Sequence, residues 1–163
     1  SIFPLGQTVG GVNMDSLPPG GVARDYAMTG GDKSELTGYV RAVLKADGHY
    51  ESPEEHSERG HYYRSDHFPM AKRGVPMFEL GRGTDLVDGG KEKGRAAGDD
   101  YVEHRYHQPS DEYSDSWDWS GVLADVSVYY RLGRMLAEGS DWPNWHPTDE
   151  FRGVRDASLK AGK

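Results

Sequence analysis

The chain has 163 residues, which suits one domain with a single core, and its mean hydropathy of −0.81 makes it rather polar. A formal net charge of −8, from 27 acidic and 19 basic residues, disfavours nucleic-acid binding. Cysteine is absent, which excludes disulfides and thiolate metal ligands, and no apolar run reaches the roughly 18 residues of a membrane span.

The first third of the chain predicts two strands and a helix. Residues 8–14 form an apolar run that ends at Asp15, and residues 25–29 have the composition of a second strand. Residues 34–46 carry apolar side chains at helical spacing, which predicts a helix with one buried face.

The middle of the chain predicts more irregular structure. Polar residues 49–62 indicate a surface loop, and residues 65–73 a short helix that Gly74 ends. Residues 75–80 then form a strand. Residues 81–100 contain six glycines and many charges, which predicts a long exposed loop.

The strongest helix is predicted at residues 117–137, where a broad apolar face implies burial against a sheet. A weaker helix follows at residues 149–159. The alternation of strands and helices favours an α/β sandwich with a largely parallel or mixed sheet.

Asp15 is the first candidate for site chemistry. It directly follows an apolar strand, and ligand sites in α/β folds gather at the carboxyl ends of strands. A carboxylate there suits a metal ion. The alternative is an aspartate that starts a turn by bonding its own backbone, and position alone favours this alternative.

The second candidate is the polar string at residues 63–68, where a loop enters the predicted short helix. Arg64, Ser65, Asp66 and His67 could line a polar site, or Asp66 could only cap the helix. A serine-hydrolase triad is disfavoured, because neighbouring residues seldom form one and no G-x-S-x-G motif is present.

The third candidate is at residues 101–112, where His104 and His107 stand three positions apart. Such a pair could chelate one metal ion on a helix. Pro109 and the Gly-rich context disfavour a helix there, so we expect at most one of the two histidines to be a ligand. Solvated loop histidines are the alternative.

Taken in order, three strings resemble the metallopeptidase family of co-catalytic zinc aminopeptidases and glutamate carboxypeptidases, zinc metallopeptidase family twenty-eight. They are VNMD ending at Asp15, YRSDHFPMAKRGVPM at residues 63–77 and YHQPSDE at residues 106–112. The resemblance runs from about Phe3 to Glu138. It implies the C-terminal portion of an α/β/α sandwich with a mixed sheet, zinc-exopeptidase-like and incomplete as given.

The resemblance implies roles for three residues. Asp15 matches the aspartate that binds one zinc ion of a pair, and His107 matches the histidine that binds the other. Tyr106 matches the tyrosine that steadies the oxyanion of the tetrahedral intermediate. Two zinc ions hold a hydroxide and polarise a peptide carbonyl in such sites, which implies an aminopeptidase that removes N-terminal residues from peptides.

The resemblance also implies part of a substrate pocket. Arg64 matches an arginine beside the pocket in some members of the family. The segment that matches the pocket wall consists of Ser65, Asp66, His67 and Phe68. Met70 and Met77 stand where the family often has Phe and Ala, a departure that affects only the shape of the pocket.

Three metal ligands and a general-base glutamate are missing from the match. The family places an H-x-D segment and a Glu-Glu pair upstream of the strand that ends at Asp15, but the fourteen residues before Asp15 contain neither His nor Glu. Each zinc ion would keep one ligand from this chain, whereas zinc sites need three or four. We therefore expect residues 1–163 to be the C-terminal part of a catalytic domain, inactive alone and with zinc absent or weakly bound.

Two other functions remain open. One is a non-catalytic binding or interaction module that retains the half-fold. The other is a single-zinc enzyme similar to glutaminyl cyclases, although Tyr106 before His107 fits aminopeptidases better. The expected substrate is a peptide, with neither nucleic acid nor membrane as partner, and an exposed sheet edge predicts self-association. The resemblance implies a periplasmic or secreted location.

Overall fold

The computed structural model describes residues 3–161. Within them, four strands form one mixed sheet in the order β1-β4-β2-β3. The strands are β1 (Gly11–Asn13), β2 (Asp25–Met28), β3 (Tyr50–Ser52) and β4 (Met77–Arg82). β1 is parallel to β4 and β2 to β3, whereas β2 and β4 are antiparallel. The prediction of an α/β fold with a mixed sheet is confirmed.

Helices connect and cover these strands. The described residues contain α1 (Leu36–Ala46), α2 (Phe68–Ala71), α3 (Gly90–His104), α4 (Ser120–Glu138) and α5 (Arg152–Ala161). Short 3-10 turns lie at Leu5–Gln7, Ser57–Arg59 and His61–Tyr63. None of the helices in the described part of the chain is both long enough and apolar enough to cross a membrane.

The main core lies between one face of the sheet and helices α1 and α4. Buried side chains of all three parts form a single cluster: Tyr26, Met28, Phe78, Leu80, Leu36, Val40, Val43, Leu44, Val128, Tyr129, Leu132 and Leu136. Each large apolar side chain buried in this way contributes about 1.5–3 kcal/mol. The apolar periodicity in residues 34–46 and 117–137 therefore predicted these two helices correctly.

A second cluster covers the opposite face of the sheet. Its buried members are Tyr62, Ala71, Trp145 and Phe151, and Met77 packs against them. Because Met77 and Phe78 are neighbours in β4, their side chains point to opposite faces. The sheet therefore has packed layers on both sides, as expected of a sandwich.

Helix α5 holds the N-terminal segment in place. The buried guanidinium of Arg155 donates hydrogen bonds to the carbonyl oxygens of Leu5 (3.1 Å) and Thr8 (2.9 Å). Gly74 has a φ of +89°, and a Cβ there would lie 2.7 Å from the backbone nitrogen of Arg155. A glycine is therefore needed both for the left-handed turn after α2 and for the approach of α5.

The glycine-rich stretch is not the long loop that its composition predicted. Most of it belongs to α3, which begins at Gly90 and buries none of its residues. Alanines and long charged side chains favour the helix and outweigh the cost of two interior glycines. Gly94 has a further role, because a Cβ at this position would overlap the carbonyl oxygen of Thr84.

Two other expectations need correction. The stretch 49–62 was expected to be a loop but contains β3, a short edge strand of three residues in which Tyr50 is the one apolar side chain and is exposed. The apolar face of α4 was expected to be buried throughout, yet Trp119, Val126 and Tyr130 are exposed. These three residues lie on the side of α4 that faces away from the sheet.

Candidate functional site

Asp15 lies just beyond the carboxyl end of β1 and is exposed to solvent. The last residue of this strand, Asn13, pairs with Glu79 in the parallel register and donates a hydrogen bond from its Nδ2 to Glu79 Oε2 at 3.2 Å. This bond fixes the end of the strand, so the chain leaves the sheet at a defined point two residues before the Asp15 carboxylate.

The turn after Asp15 is held by the side chain of Arg82, at the end of β4. Its Nη1 donates to the carbonyl oxygens of Gly20 (2.9 Å) and Gly21 (2.7 Å), and its Nη2 donates to that of Pro18. The same guanidinium lies 3.5 Å from the buried carboxylate of Asp125 in α4. Arg82 therefore joins the turn that follows Asp15 to the core.

The carboxyl group of Asp125 is a buried partner of two groups. Tyr26 donates its hydroxyl hydrogen to Asp125 Oδ1 at 2.9 Å, and Arg82 faces the other oxygen. Burial raises the pKa of Asp125, and this effect outweighs the opposing influence of the Arg82 charge and the Tyr26 hydrogen bond. Burial and the nearby carboxylate likewise raise the pKa of Tyr26.

The predicted substrate-binding segment has one buried residue and several accessible ones. Arg64 and Asp66 are exposed, and Ser65 donates its hydroxyl to the carbonyl oxygen of His61 at 3.0 Å. Phe68 is partly buried and packs edge-on against Tyr63, with ring centroids 5.4 Å apart. Arg64 and Asp66 therefore remain available to a ligand.

His67 is fully buried and faces inward. Its Nδ1 lies 3.4 Å from Glu79 Oε2, and its ring packs edge-on against that of Tyr62 at 4.5 Å. Burial acts to raise the pKa of Glu79, but the polar groups of His67, Asn13 and Ser65 beside it outweigh burial and hold the pKa below its usual value. A substrate does not reach the His67 ring in this arrangement, in which the residue supports the segment from below.

Glu79 and Arg82 were not identified from the sequence, although they connect the candidate residues. Glu79 joins Asn13 to His67, and Arg82 joins the turn after Asp15 to Asp125. The sequence does contain a signal that could have identified them. Glu79 and Arg82 are charged residues in an otherwise apolar strand, and a charge that is buried in such a strand needs a partner.

Tyr106 and His107 lie in the turn that follows α3. His107 has a φ of +58°, in the left-handed region that non-glycine residues seldom adopt. Its ring stacks on that of Tyr106 with centroids 3.9 Å apart and an interplanar angle of 20°. Both side chains are exposed. His104 is the last residue of α3, so His104 and His107 do not share a helix.

The residues after His107 fold back onto the end of α3. Ser110 donates its hydroxyl to the carbonyl oxygen of His104 at 2.6 Å, and Tyr101 donates to Asp111 Oδ2 at 2.8 Å. The hydrogen bond to Asp111 is the main cause that raises the pKa of Tyr101. These contacts brace the turn that carries His107.

The described residues do not assemble a complete metal site. Among residues 3–161, no group of three or more His, Asp or Glu side chains is placed to hold a metal ion. A zinc site in a protein needs three or four ligands. Asp15 and His107 therefore do not fit a complete zinc centre by themselves.

An open cavity of about 440 Å³ adjoins the predicted substrate-binding segment. Tyr62 and Tyr63 form one wall, and Glu54 and Lys33 provide its charges. The ammonium group of Lys33 lies 3.3 Å from Asp149, and the carboxylate of Glu54 accepts a hydrogen bond from the Gly30 N–H at 2.9 Å. The Lys33 charge is thus paired within the fold, and the Glu54 carboxylate is held by a backbone N–H group.

Comparison with known proteins gives one match. No curated protein and no solved structure matches the chain. Residues 4–130 match the family described as Peptidase family M28, and this range includes the strand that ends before Asp15, the segment from Arg64 to Phe68 and the turn with Tyr106 and His107. The matched range is more than three quarters of the chain, and the protein belongs to peptidase family M28.

Proposed function

We propose that this chain is part of a zinc-dependent aminopeptidase that removes N-terminal residues from peptides by two-metal hydrolysis. The observation that carries the proposal is the family match over residues 4–130, which spans every candidate residue. Members of this family are peptidases, and zinc dependence is general among them. The more specific activity, removal of single N-terminal residues, is our inference from the motifs at Asp15 and at Tyr106–His107.

In this proposal the chain supplies one ligand to each of two zinc ions. Asp15 would bind one ion from the carboxyl end of β1, and His107 would bind the other from the turn after α3. Both side chains are exposed, which is compatible with metal ligands whose coordination would be completed by other protein groups. Tyr106 is also exposed, so its hydroxyl is free to face a reacting carbonyl.

We further propose that the chain is catalytically inactive alone, because residues 3–161 bring no three His, Asp or Glu side chains together around a metal ion. Residues 1–163 would then be the C-terminal part of a catalytic domain. The accessible residues of the substrate-binding segment, Arg64 and Asp66, would contribute part of the pocket, with Ser65 and Phe68 shaping its wall. His67 would support this wall through Glu79.

Titration of the chain with zinc, followed by NMR, tests the proposal. We expect two independent sites with affinities weaker than micromolar, one shifting the Asp15 amide and the other the His107 ring. Asp15→Asn should remove only the first site and His107→Gln only the second. His104→Gln is the matched control, because this exposed histidine lies one turn away and should leave both sites unchanged.

Two results would contradict the proposal. A single submicromolar site that needs both Asp15 and His107 would mean that the two residues share one ion. Rapid hydrolysis of aminoacyl-4-nitroanilide substrates by the purified chain, lost in Tyr106→Phe, would show that the chain carries a complete active site.

A further inference from the structure

The outward side of α4 carries a line of large apolar residues, which we call the outer α4 stripe. Between 43% and 69% of each of these side chains is exposed: Trp119, Leu123, Val126 and Tyr130. The opposite side of the helix, with Val128 and Leu132, is packed in the core. A helix that is apolar on two sides normally has a packing partner on each side.

The spacing of the outer α4 stripe is symmetric along the helix. Its residues are separated by four, three and four positions, so the pattern is the same in either chain direction. Spacing that alternates between three and four is the pattern of a coiled-coil seam. When two copies of α4 pack antiparallel, Trp119 faces Tyr130 of the second copy, and Leu123 faces Val126.

The same arrangement also matches the residues beyond the stripe. Tyr113 and Trp117 precede α4 and continue its aromatic surface, with successive ring centroids 5.5 Å apart up to Trp119. In an antiparallel pair they lie towards the C-terminal end of α4 of the second copy, which carries Gly133 and Ala137. A Cβ added at Gly133 meets no atom within 4 Å. These small residues leave room for the two aromatic rings.

Charge favours the antiparallel over the parallel arrangement. The exposed Arg134, which also pairs with Glu138 one turn later in the same helix (2.6 Å), lies near the C-terminal end of α4, and the exposed Asp115 precedes its N-terminal end. Antiparallel packing brings Arg134 of one copy close to Asp115 of the other, whereas parallel packing places Arg134 against Arg134. Opposed helix dipoles favour the antiparallel pair as well.

We propose that the outer α4 stripe is the contact surface of a two-fold symmetric, antiparallel dimer of this chain. A symmetric contact uses the same surface on both copies, which the palindromic spacing provides. Aromatic side chains cover about 150–250 Å² each, so the partly exposed patch offers on the order of 500 Å² per copy. The total of about 1,000 Å² is at the lower end for specific interfaces, and with a net charge of −8 on each chain the dimer is weak and reversible.

Sedimentation equilibrium over a concentration series tests the contact. The average mass should rise from 18.1 kDa towards twice that value in the micromolar range. Leu123→Asp should weaken the dimer at least tenfold. Val102→Asp introduces the same charge at an exposed apolar side chain of another helix, α3, and should change the dissociation constant less than threefold. A wild-type chain that stays monomeric at several hundred micromolar overturns the proposal, as does a dimer that persists in Leu123→Asp.

Disulfide cross-linking tests the orientation, because the chain contains no cysteine. Trp119→Cys mixed with Tyr130→Cys should give a cross-linked pair on oxidation, while Tyr130→Cys alone should not. Cross-linking of Tyr130→Cys alone would indicate a parallel pair and overturn the antiparallel assignment. Circular dichroism of each variant confirms that the helices remain folded, which is expected because the substituted side chains are exposed.

Discussion

Replacement of Arg82 by methionine tests how firmly the turn after Asp15 is joined to the core. The substitution keeps most of the aliphatic volume and removes the guanidinium, whose side chain is 8% exposed and faces an Asp125 side chain that is 2% exposed. Removal of one partner of a buried ion pair lowers the free energy of unfolding by about 3–5 kcal/mol. The lost hydrogen bonds to the turn carbonyls add about 1 kcal/mol each where water does not replace them.

Urea unfolding monitored by tryptophan fluorescence measures this cost. We expect Arg82→Met to lower the free energy of unfolding by at least 3 kcal/mol at pH 7. Arg95→Met is the matched control, because Arg95 forms an exposed pair with Glu55 that is worth about 0–1 kcal/mol. Adding Asp125→Asn to Arg82→Met should recover a large part of the loss, since no buried charge is then left unpaired.

The pH dependence gives a second, independent check on the Arg82 substitution. The folded-state pKa of Asp125 is raised above the unfolded value of about 3.9, so the folded state takes up a proton first as the pH falls. Without Arg82 this pKa rises further, and the destabilisation should shrink as the pH is lowered from 7 towards 4. A loss below 1 kcal/mol at pH 7, or a loss independent of pH, would refute the role assigned to Arg82.

Three further predictions concern other parts of the fold. Gly121→Ala should lower the free energy of unfolding in urea by about 1–3 kcal/mol, because a Cβ at this position overlaps the Arg82 guanidinium. Gly38→Ala, at an open position on α1, should instead raise the free energy of unfolding by about 0.5–1 kcal/mol. Glu79 has a lowered folded-state pKa, so its contribution to stability is present above the unfolded pKa of about 4.3 and is lost as the pH falls through the folded-state pKa. In Glu79→Gln, the free energy of unfolding should therefore fall less steeply as the pH is lowered, as measured by acid unfolding. Trp145→Phe should lower the free energy of unfolding by about 1–3 kcal/mol in thermal unfolding. The carbonyl oxygen of Gly74, which accepts the 2.9 Å hydrogen bond from the indole N–H, is then left unpaired.

Apolar periodicity predicted the parts of the fold that pack against a core. The helices α1 and α4 and the strands β2 and β4 all bury side chains in one cluster. The spacing of their apolar residues therefore predicts which side of each element is buried. Helix α3 buries none of its residues and therefore left no such pattern. For α4 the same periodicity signalled apolar character but could not distinguish contact with the sheet from contact with another surface.

Residues of the candidate site could be predicted only where they lie within a short sequence motif. The strings around Asp15, Arg64 and His107 each lie within a few residues, and the family match spans all three. The groups that brace them are distant in sequence: Glu79 is 66 positions from Asn13, and Arg82 is 62 positions from Gly20. Such pairings depend on strand register and on which residues face each other across the sheet, which a single sequence does not specify.

The buried Arg155 has a consequence for the way the protein acquires its structure during synthesis. Its guanidinium binds the carbonyl oxygen of Leu5, a residue 150 positions earlier. At 5–20 residues per second, a ribosome needs roughly 7–30 s to make the chain between these two points. Throughout that interval the segment before β1 lacks the group that anchors it, and the carbonyl oxygens that Arg155 later binds stay exposed to water or to other chains.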